Sequence, residues 1–377
     1  MRSIPFHKPS LNKSTVENLT DVVRSGWLTT GKKTKQFEEE IKHTLGIKYG
    51  LTVSSCTAAL HIAYLLIDIK KGDEVIVPSY TFCSTINTII HTGATPVFCD
   101  VLPNTFCADP NDIKRKITKR TKAVVMVHFA GMAADIDEIN KICKPRKIKI
   151  IEDAAHSFHT KYNNKFIGSH GNIVCFSFYA TKTLTTGEGG FLALTSKKQE
   201  DRARILALHG MSKNAWNRYG KKSNWRYDVV APGYKYNMSD LHASVGLSQI
   251  PYIQVDQNKR QSIALRYIKG LNHIKDIIMP PVPSNLTSTH VWHLFVIRTS
   301  NKTNRDLLIN FLKEKGIGVS VHFIANHKQN FFKKNLRKVP LPNTDKISNS
   351  VISLPIYPTL SNKDVDYIIR TICEYYA

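Results

Sequence analysis

From residue 50 to about 155 the chain alternates between short apolar runs and amphipathic stretches of helical period. "GLTVSS" precedes "TAALHIAYLLI", "DEVIVP" precedes "FCSTINTIIHTG", "TPVFCDV" precedes "DPNDIKRKI", "KAVVMVHF" precedes "DIDEINKIC", and "KIKIIEDAA" follows. The runs "VIVP" and "AVVMV" are apolar at every position, as expected of parallel strands covered on both faces. Such a rhythm predicts an α/β fold, with right-handed crossovers and a doubly wound, mainly parallel sheet. Two helices are expected before it. "STVENLTDVVRSG" carries Ser14 and Glu17 at capping-box spacing and Gly26 as a stop, and "KKTKQFEEEIKHTLG" closes on Gly46.

After about residue 195 the rhythm changes. "SKKQEDRARILALHG" and "MSDLHASVGLSQIPYIQVDQNKRQSIALRYIKGL" each read as a long helix. A strand "HVWHLFVIR", a helix "NRDLLINFLKEKG", a strand "GVSVHF" and a last helix "NKDVDYIIRTICEYY" follow, as in a small α+β unit. The 377 residues thus divide into a large α/β domain (1–250) and a smaller C-terminal α+β domain (251–377), with the boundary inside the long helix.

Composition narrows the function. No apolar run reaches the roughly 18–20 residues of a membrane span, and "MRSIPFHKPS" lacks a secretory core, so a cytoplasmic protein is expected. The seven cysteines, at 56, 83, 99, 107, 143, 175 and 373, include no C-x-x-C pair, which argues against disulfides and against a local metal site. The net charge of +24 raises nucleic-acid binding, but lysine outnumbers arginine more than twofold and the excess is scattered. No nucleic-acid partner is expected; the field would instead draw in anionic substrates such as nucleotide diphosphates.

Ligands of open α/β sheets sit at the carboxyl ends of the strands. Ser54, Ser55, Cys56 and Thr57 lie between a strand and a helix, where free N–H groups and hydroxyls can hold an anion; alone they are equally an N-cap. "IIEDAAH" ends a strand on Asp153, and "FSFYATKTLTTGEGG" supplies Ser177 and Lys182. Lys182 stands alone among small residues, which leaves space beside it. An amine in such a pocket tends to a lowered pKa and to nucleophilicity, although a surface lysine would look the same in sequence. Together, an anion nest, a strand-end acid and an amine are the contacts that pyridoxal 5'-phosphate (PLP) requires.

These residues also resemble the PLP-dependent sugar-nucleotide aminotransferases of the DegT/StrS type. The resemblance runs through "GWLTTGKKTKQFEEE", "SSCTAALHIA", "GDEVIVPSYTFCST", "IEDAAHSF", "FSFYATKTLTTGEGG", "GYKYNMSDLHASVG" and "LPIYPTLSNKDVDYI", in family order along nearly the whole chain. It implies a fold-type-I PLP-dependent transferase and a homodimer with active sites at the subunit interface. By the same resemblance, Lys182 is the Schiff-base lysine, Asp153 faces the pyridine nitrogen and His156 lies near the ring hydroxyl. Phe82 stacks on the ring, while Ser55, Cys56, Thr57 and Ser177 meet the phosphate. Lys235 and Asn237 lie in a segment that reaches toward the neighbouring subunit's phosphate. Trp27, Thr30, His322 and His327 are candidate substrate contacts. Cys56 stands where relatives commonly have glycine, so its side chain would either crowd the phosphate loop or make it sensitive to oxidation; "GYKYN" replaces the commoner "GYNYR".

The implied reaction passes an amino group from glutamate, through pyridoxamine 5'-phosphate, to a nucleotide-linked keto-sugar. The expected acceptor is a 4-keto-6-deoxyhexose on UDP or dTDP. A 3-keto-sugar acceptor and a catalytically silent protein of the same fold are the alternatives.

Overall fold

The computed structural model describes residues 3–212, 228–283, 285–300 and 303–377. Its centre is a seven-stranded sheet built from β1 (Tyr49–Val53), β2 (Glu74–Pro78), β3 (Thr95–Cys99), β4 (Thr121–Val127), β5 (Lys149–Asp153), β8 (Ile173–Ser177) and β9 (Gly190–Leu194), in the order β1-β9-β8-β5-β4-β2-β3. A small antiparallel hairpin, β6 (Lys161–Tyr162) with β7 (Lys165–Phe166), interrupts the sequence between β5 and β8. Four strand pairs are parallel (β2 with β3, β2 with β4, β4 with β5, and β5 with β8), whereas β9 runs antiparallel to both β8 and β1.

Alternate residues of each strand enter different cores, which is why the strand sequences are apolar throughout. In β4, Val124 and Met126 pack on one face while Ala123 and Val125 pack on the other, all of them buried. The helices that cover the sheet are α1 (Lys13–Ser25), α2 (Lys32–Leu45), α3 (Cys56–Leu66), α4 (Ser84–His91), α5 (Pro110–Lys116), α6 (Ile136–Cys143), α7 (Lys197–Ala207) and α8 (Asp240–Leu247). α1 and α2 stop at Gly26 and Gly46, whose φ angles of 69° and 65° are the left-handed conformation that glycine adopts without a Cβ penalty.

A second, antiparallel sheet has the order β10 (Ile277–Ile278), β11 (Phe295–Thr299), β12 (Val351–Leu354). α9 (Ile253–Leu271), α10 (Arg305–Glu314), α11 (Asn330–Asn335), α12 (Pro342–Ser350) and α13 (Asn362–Tyr376) accompany it. α9 and α13 share a core with β11 and β12, built on Tyr267, Phe295, Ile352 and Ile368. The N-terminal segment joins this second core: Ile4 is buried in it and bridges Ile317. No helix among the described residues is long and apolar enough to cross a membrane.

Three local readings are corrected. The capping box of α1 is Asn12 with Thr15, not Ser14 with Glu17, because Asn12 and Thr15 also bond Ser248 across the fold. The long helix expected around 240–271 is two helices separated by a 3₁₀ turn at Ile250–Tyr252, where Pro251 removes a donor. Residues 318–323 form no strand; Ser320 bridges Ser353 at a single position, and Gly318 N–H goes to the Ile4 carbonyl (2.8 Å).

Candidate active site

β8 ends at Ser177 and the chain folds back before β9 begins at Gly190. Backbone bonds join Phe178 to Gly189 (2.9 Å) and to Thr186 (2.9 Å), and Thr185 Oγ1 donates to the Phe178 carbonyl (3.1 Å). Gln249, after α8, clamps Thr185 from both sides, accepting from its N–H (3.1 Å) and donating to its carbonyl (2.6 Å). The small residues after Lys182 therefore serve the loop's own hydrogen bonding rather than simply leaving room. Lys182 is half-buried in this fixed loop. Burial pushes its ammonium down to about 8 from 10.5, with Cys56 and Asp153 pulling the other way.

Asp153 ends β5 with only 5 % of its surface exposed. Thr85 Oγ1 donates to its Oδ2 (2.8 Å) and Ala155 N–H to its Oδ1 (3.1 Å). Burial raises the carboxyl above its usual range, while Thr85, Ala155 and Lys182 oppose that rise. One residue earlier, Glu152 is fully buried and bonds His128 Nε2 (2.9 Å) and Asn172 Nδ2 (2.7 Å). Since His128 Nδ1 accepts from Ala134 N–H (3.0 Å), its Nε2 is the donor to Glu152, and the ends of β4 and β5 are locked together.

His156 lies under the turn at Phe129–Gly131. Its Nδ1 accepts from Ala130 N–H (3.2 Å), which assigns the proton of the neutral ring to Nε2. Burial, with the Lys182 charge, holds it neutral well below the usual imidazole range. Its ring lies 4.5 Å from that of His293 and stacks on Phe323 at 5.8 Å.

Ser55 caps α3 through Ala58 N–H (3.1 Å), so the helix N-terminus opens at the end of β1 with Thr57 exposed on its first turn. Gly190 packs against this corner so closely that a Cβ there would stand 2.6 Å from the Ser55 carbonyl carbon and 2.7 Å from Cys56 N. Cys56 does not crowd the loop, contrary to expectation. Its thiol turns inward, buried, toward the Cys175 carbonyl (3.6 Å). Ser177, at the end of β8, is also buried. The segment 234–238 runs beside the same corner: Ser54 N–H donates to Tyr236 O (2.7 Å) and Asn237 bridges Val53. Within this chain Asn237 donates to Thr30 Oγ1 (2.6 Å), Trp27 Nε1 donates to Thr30 O (3.0 Å), and Lys235 is exposed. Trp27 and Thr30 thus gather with Asn237 at the start of α2.

Phe82 follows β2 with 59 % of its surface exposed, its ring 6.1 Å from Phe323. The Lys182 charge reaches His322: burial and that charge lower it to about 4, and its Nδ1 bonds Ser353 Oγ (2.8 Å). His327 does not have a ring nitrogen to offer a substrate, because Nδ1 bonds Ser79 (2.8 Å) and Nε2 bonds Asp345 (3.0 Å). Sequence reasoning missed Thr85, Asn326, His7 and His293. Asn326 is fully buried and fixes the Phe82 loop by donating to the carbonyls of Ser79 (3.1 Å) and Thr81 (2.6 Å). Thr85 was within reach, three residues after Phe82 in "SYTFCST"; the others carry no local signal.

The donor set fits PLP. A buried carboxylate held by two neutral donors suits a pyridinium N–H, a neutral imidazole with a free Nε2–H suits the ring hydroxyl, and hydroxyls at a helix N-terminus suit the phosphate.

Residues 9–373 match the DegT/DnrJ/EryC1/StrS aminotransferase family. The chain is 43% identical over 375 residues to the spore coat polysaccharide biosynthesis protein SpsC of Bacillus subtilis, covering 98% of this chain and 96% of that protein. Among solved structures, Spr1654 of Streptococcus pneumoniae, described as a sugar aminotransferase, superposes in its PLP-form with a TM-score of 0.92 at 30% identity, covering 100% of both chains. Helicobacter pylori PseC, an aminotransferase involved in the biosynthesis of pseudoaminic acid, gives 0.92 at 25% identity over 100% of this chain and 99% of that one. With an amine, an acid and an anion corner at the strand ends of a fold-type-I sheet, the chain belongs to the DegT/DnrJ/EryC1/StrS family and is a PLP-dependent sugar aminotransferase.

Proposed function

We propose that the enzyme transfers an amino group from glutamate to a nucleotide-linked keto-sugar, a 4-keto-6-deoxyhexose on UDP or dTDP, and releases an amino-deoxy sugar nucleotide. The observation that carries this reading is Lys182, an amine held at about 8 in a rigid loop and coupled to the buried acid Asp153. The polysaccharide role of SpsC and the sugar role of PseC support a sugar acceptor, and the net charge of +24 suits an anionic one.

PLP, when bound, supplies an aldehyde that takes up amino groups and a ring that withdraws electrons from the reacting carbon. The chain's own residues do the rest. Lys182 would hold the cofactor covalently and would serve as the base at the donor's Cα, since its amine is neutral far more often than an ordinary lysine. Asp153 keeps a proton on the nitrogen it faces, while Thr85 and Ala155 fix the direction of its oxygens. His156 donates from Nε2 to the ring hydroxyl. Phe82 would stack on the cofactor ring, and Ser55, Thr57, Ser177 and the N-terminus of α3 would hold the phosphate, with Cys56 contributing backbone only.

Exposed apolar surface supports a homodimer. Val16 and Val23 on α1 are 65% and 61% exposed, and Tyr179 and Ile324 beside the site are 47% and 60% exposed, apolar surface that a second copy would cover. Lys235 and Asn237 would then serve the neighbouring site. The free cysteines suit the reducing cytoplasm.

Lys182→Ala tests the assignment. Borohydride reduction followed by peptide mass analysis should find PLP on Lys182 in the wild type and on no residue in the variant, which should also lose turnover with UDP- and dTDP-keto-sugars. PLP trapped on another lysine would reject it.

A further inference from the structure

Three stretches of the chain are basic without a single acid: 114–122 with six cations, 144–149 with four and 333–338 with four. They are far apart in sequence, and the fold brings them to one edge of the large sheet. The first two lead into β4 and β5, which lie side by side in parallel with Ala123 opposite Lys149. The third runs on from α11 and reaches the same edge at the start of β2. There the buried Glu74 accepts from Arg120 Nε (2.9 Å) and also feels the charge of Arg337. Leu336 and Val339 pack against the core that holds Val75 and Ala123, which fixes this segment to the body of the sheet. The three stretches thus meet at the amino ends of the strands, whereas Asp153 and Lys182 stand at or beyond the carboxyl ends.

Helix ends account for part of this charge. α5 closes on Lys114, Arg115 and Lys116, and Arg146 Nη1 donates to the Ile142 carbonyl (2.7 Å) at the end of α6. A helix C-terminus is equivalent to only about half a negative charge, however. Asp112 takes up Arg115 (3.1 Å) and Lys116 (3.2 Å), and Glu74 takes up Arg120. Lys119, Lys147, Lys149, Lys333, Lys334 and Lys338 are exposed and pair with no acid among the described residues. Holding like charges on one face costs self-repulsion, which an anionic partner relieves. The chemistry of the face selects among such partners. Nucleic acids are held by arginine forks, stacking aromatics and helix N-termini. Here ten lysines stand against four arginines, the stretches contain no aromatic residue, and α5 and α6 present their C-termini. A phospholipid leaflet is a plane of anionic headgroups that spread point charges satisfy without any fixed geometry. The apolar surface assigned to a second copy, at Val16, Val23, Tyr179 and Ile324, lies outside all three stretches.

We propose that this basic edge docks the enzyme on an anionic phospholipid surface, with the carboxyl ends of the strands, and so the active site, turned away from the lipid. Co-sedimentation of the PLP-loaded enzyme with vesicles tests it. Binding is expected to vesicles of phosphatidylcholine and phosphatidylglycerol in equal parts and not to phosphatidylcholine alone, with release as salt rises from about 0.05 M to about 0.5 M. Reversing one lysine in each stretch, Lys119→Glu, Lys147→Glu and Lys333→Glu together, should weaken binding about tenfold or more at unchanged cofactor content. Lys269→Glu, Lys313→Glu and Lys363→Glu make the same change in net charge at exposed positions of α9, α10 and α13, and should weaken it less than about threefold. Should the reversed variant fail to fold, Lys119→Gln, Lys147→Gln and Lys333→Gln together decide, with an expected loss of about fivefold. Absence of binding to the mixed vesicles overturns the proposal. So does an equal loss in the two reversed variants, which marks the total charge rather than this face. Tighter binding to duplex DNA than to the mixed vesicles at the same salt also overturns it, and marks a nucleic-acid surface.

Discussion

Raising the pH should speed the covalent capture of PLP by the apo-protein with a midpoint near 8, the value to which burial brings Lys182. Only the neutral amine attacks an aldehyde. With a pKa of about 8 against the ordinary 10.5, roughly a tenth of Lys182 is neutral at pH 7, compared with about 0.03% of an exposed lysine. The ratio of about 300 corresponds to about 3 kcal/mol between the two protonation states. Stopped-flow absorbance at saturating PLP across pH 6 to 10 reads the rate directly. The sign of the coupling to Asp153 gives an internal control. Its negative charge raises the Lys182 value, so Asp153→Asn should move the midpoint below that of the wild type. Stability follows the same linkage: the folded-state value lies below the unfolded one, so the unfolded chain binds more protons between about 8 and 10.5, and the apo-protein should gain stability with rising pH across that window relative to Lys182→Met. A wild-type midpoint near 10, or one that moves upward in Asp153→Asn, would refute the reasoning.

Three further outcomes follow from single contacts. Thr85→Val removes the hydroxyl that lowers Asp153, leaving a buried oxygen unbonded at a cost of about 1–3 kcal/mol, so the acid limb of the pH–rate profile should move to higher pH; an unmoved limb would contradict it. Gly190→Ala drives a methyl group into the backbone of Ser55 and Cys56, and equilibrium dialysis should find PLP bound about tenfold more weakly, with stability down by about 1–3 kcal/mol. Asp240→Ala removes the buried carboxylate that accepts from Gly31 (2.8 Å), Lys33 (3.1 Å) and Thr34 (2.8 Å) at the start of α2, and should lower the urea midpoint by an amount equivalent to about 2–4 kcal/mol with the slope unchanged.

Local chemistry made much of the architecture readable. The strands betrayed themselves by apolar runs because both faces of the sheet are covered, and Gly26 and Gly46 marked helix ends because a left-handed residue is needed there. Asp153 and Ser177 were recognisable because each ends its strand, and Lys182 because it follows β8 by a few residues, positions set by a handful of neighbours. Where two short-range solutions competed, tertiary contacts chose. Ser14 and Asn12 are both sound caps, and the bonds from Asn12 and Thr15 to Ser248 selected one of them. Residues 318–323 alternate like a strand, but Gly318 is taken by Ile4 and Ser320 by Ser353, so no ladder forms.

The amino-acid order by itself determined the mainly parallel sheet and the placing of Lys182 and Asp153 at strand ends or just after them, because each of these depends on periodicity and on residues within a few positions of it. The environment of that amine was decided only in three dimensions. The Lys182 charge bears on His7, His156, His293 and His322 from far-separated parts of the chain, and Gln249 and Asn326 lock the loops that carry Lys182 and Phe82. Burial and electrostatic coupling are properties of proximity in space, and no local pattern encodes them.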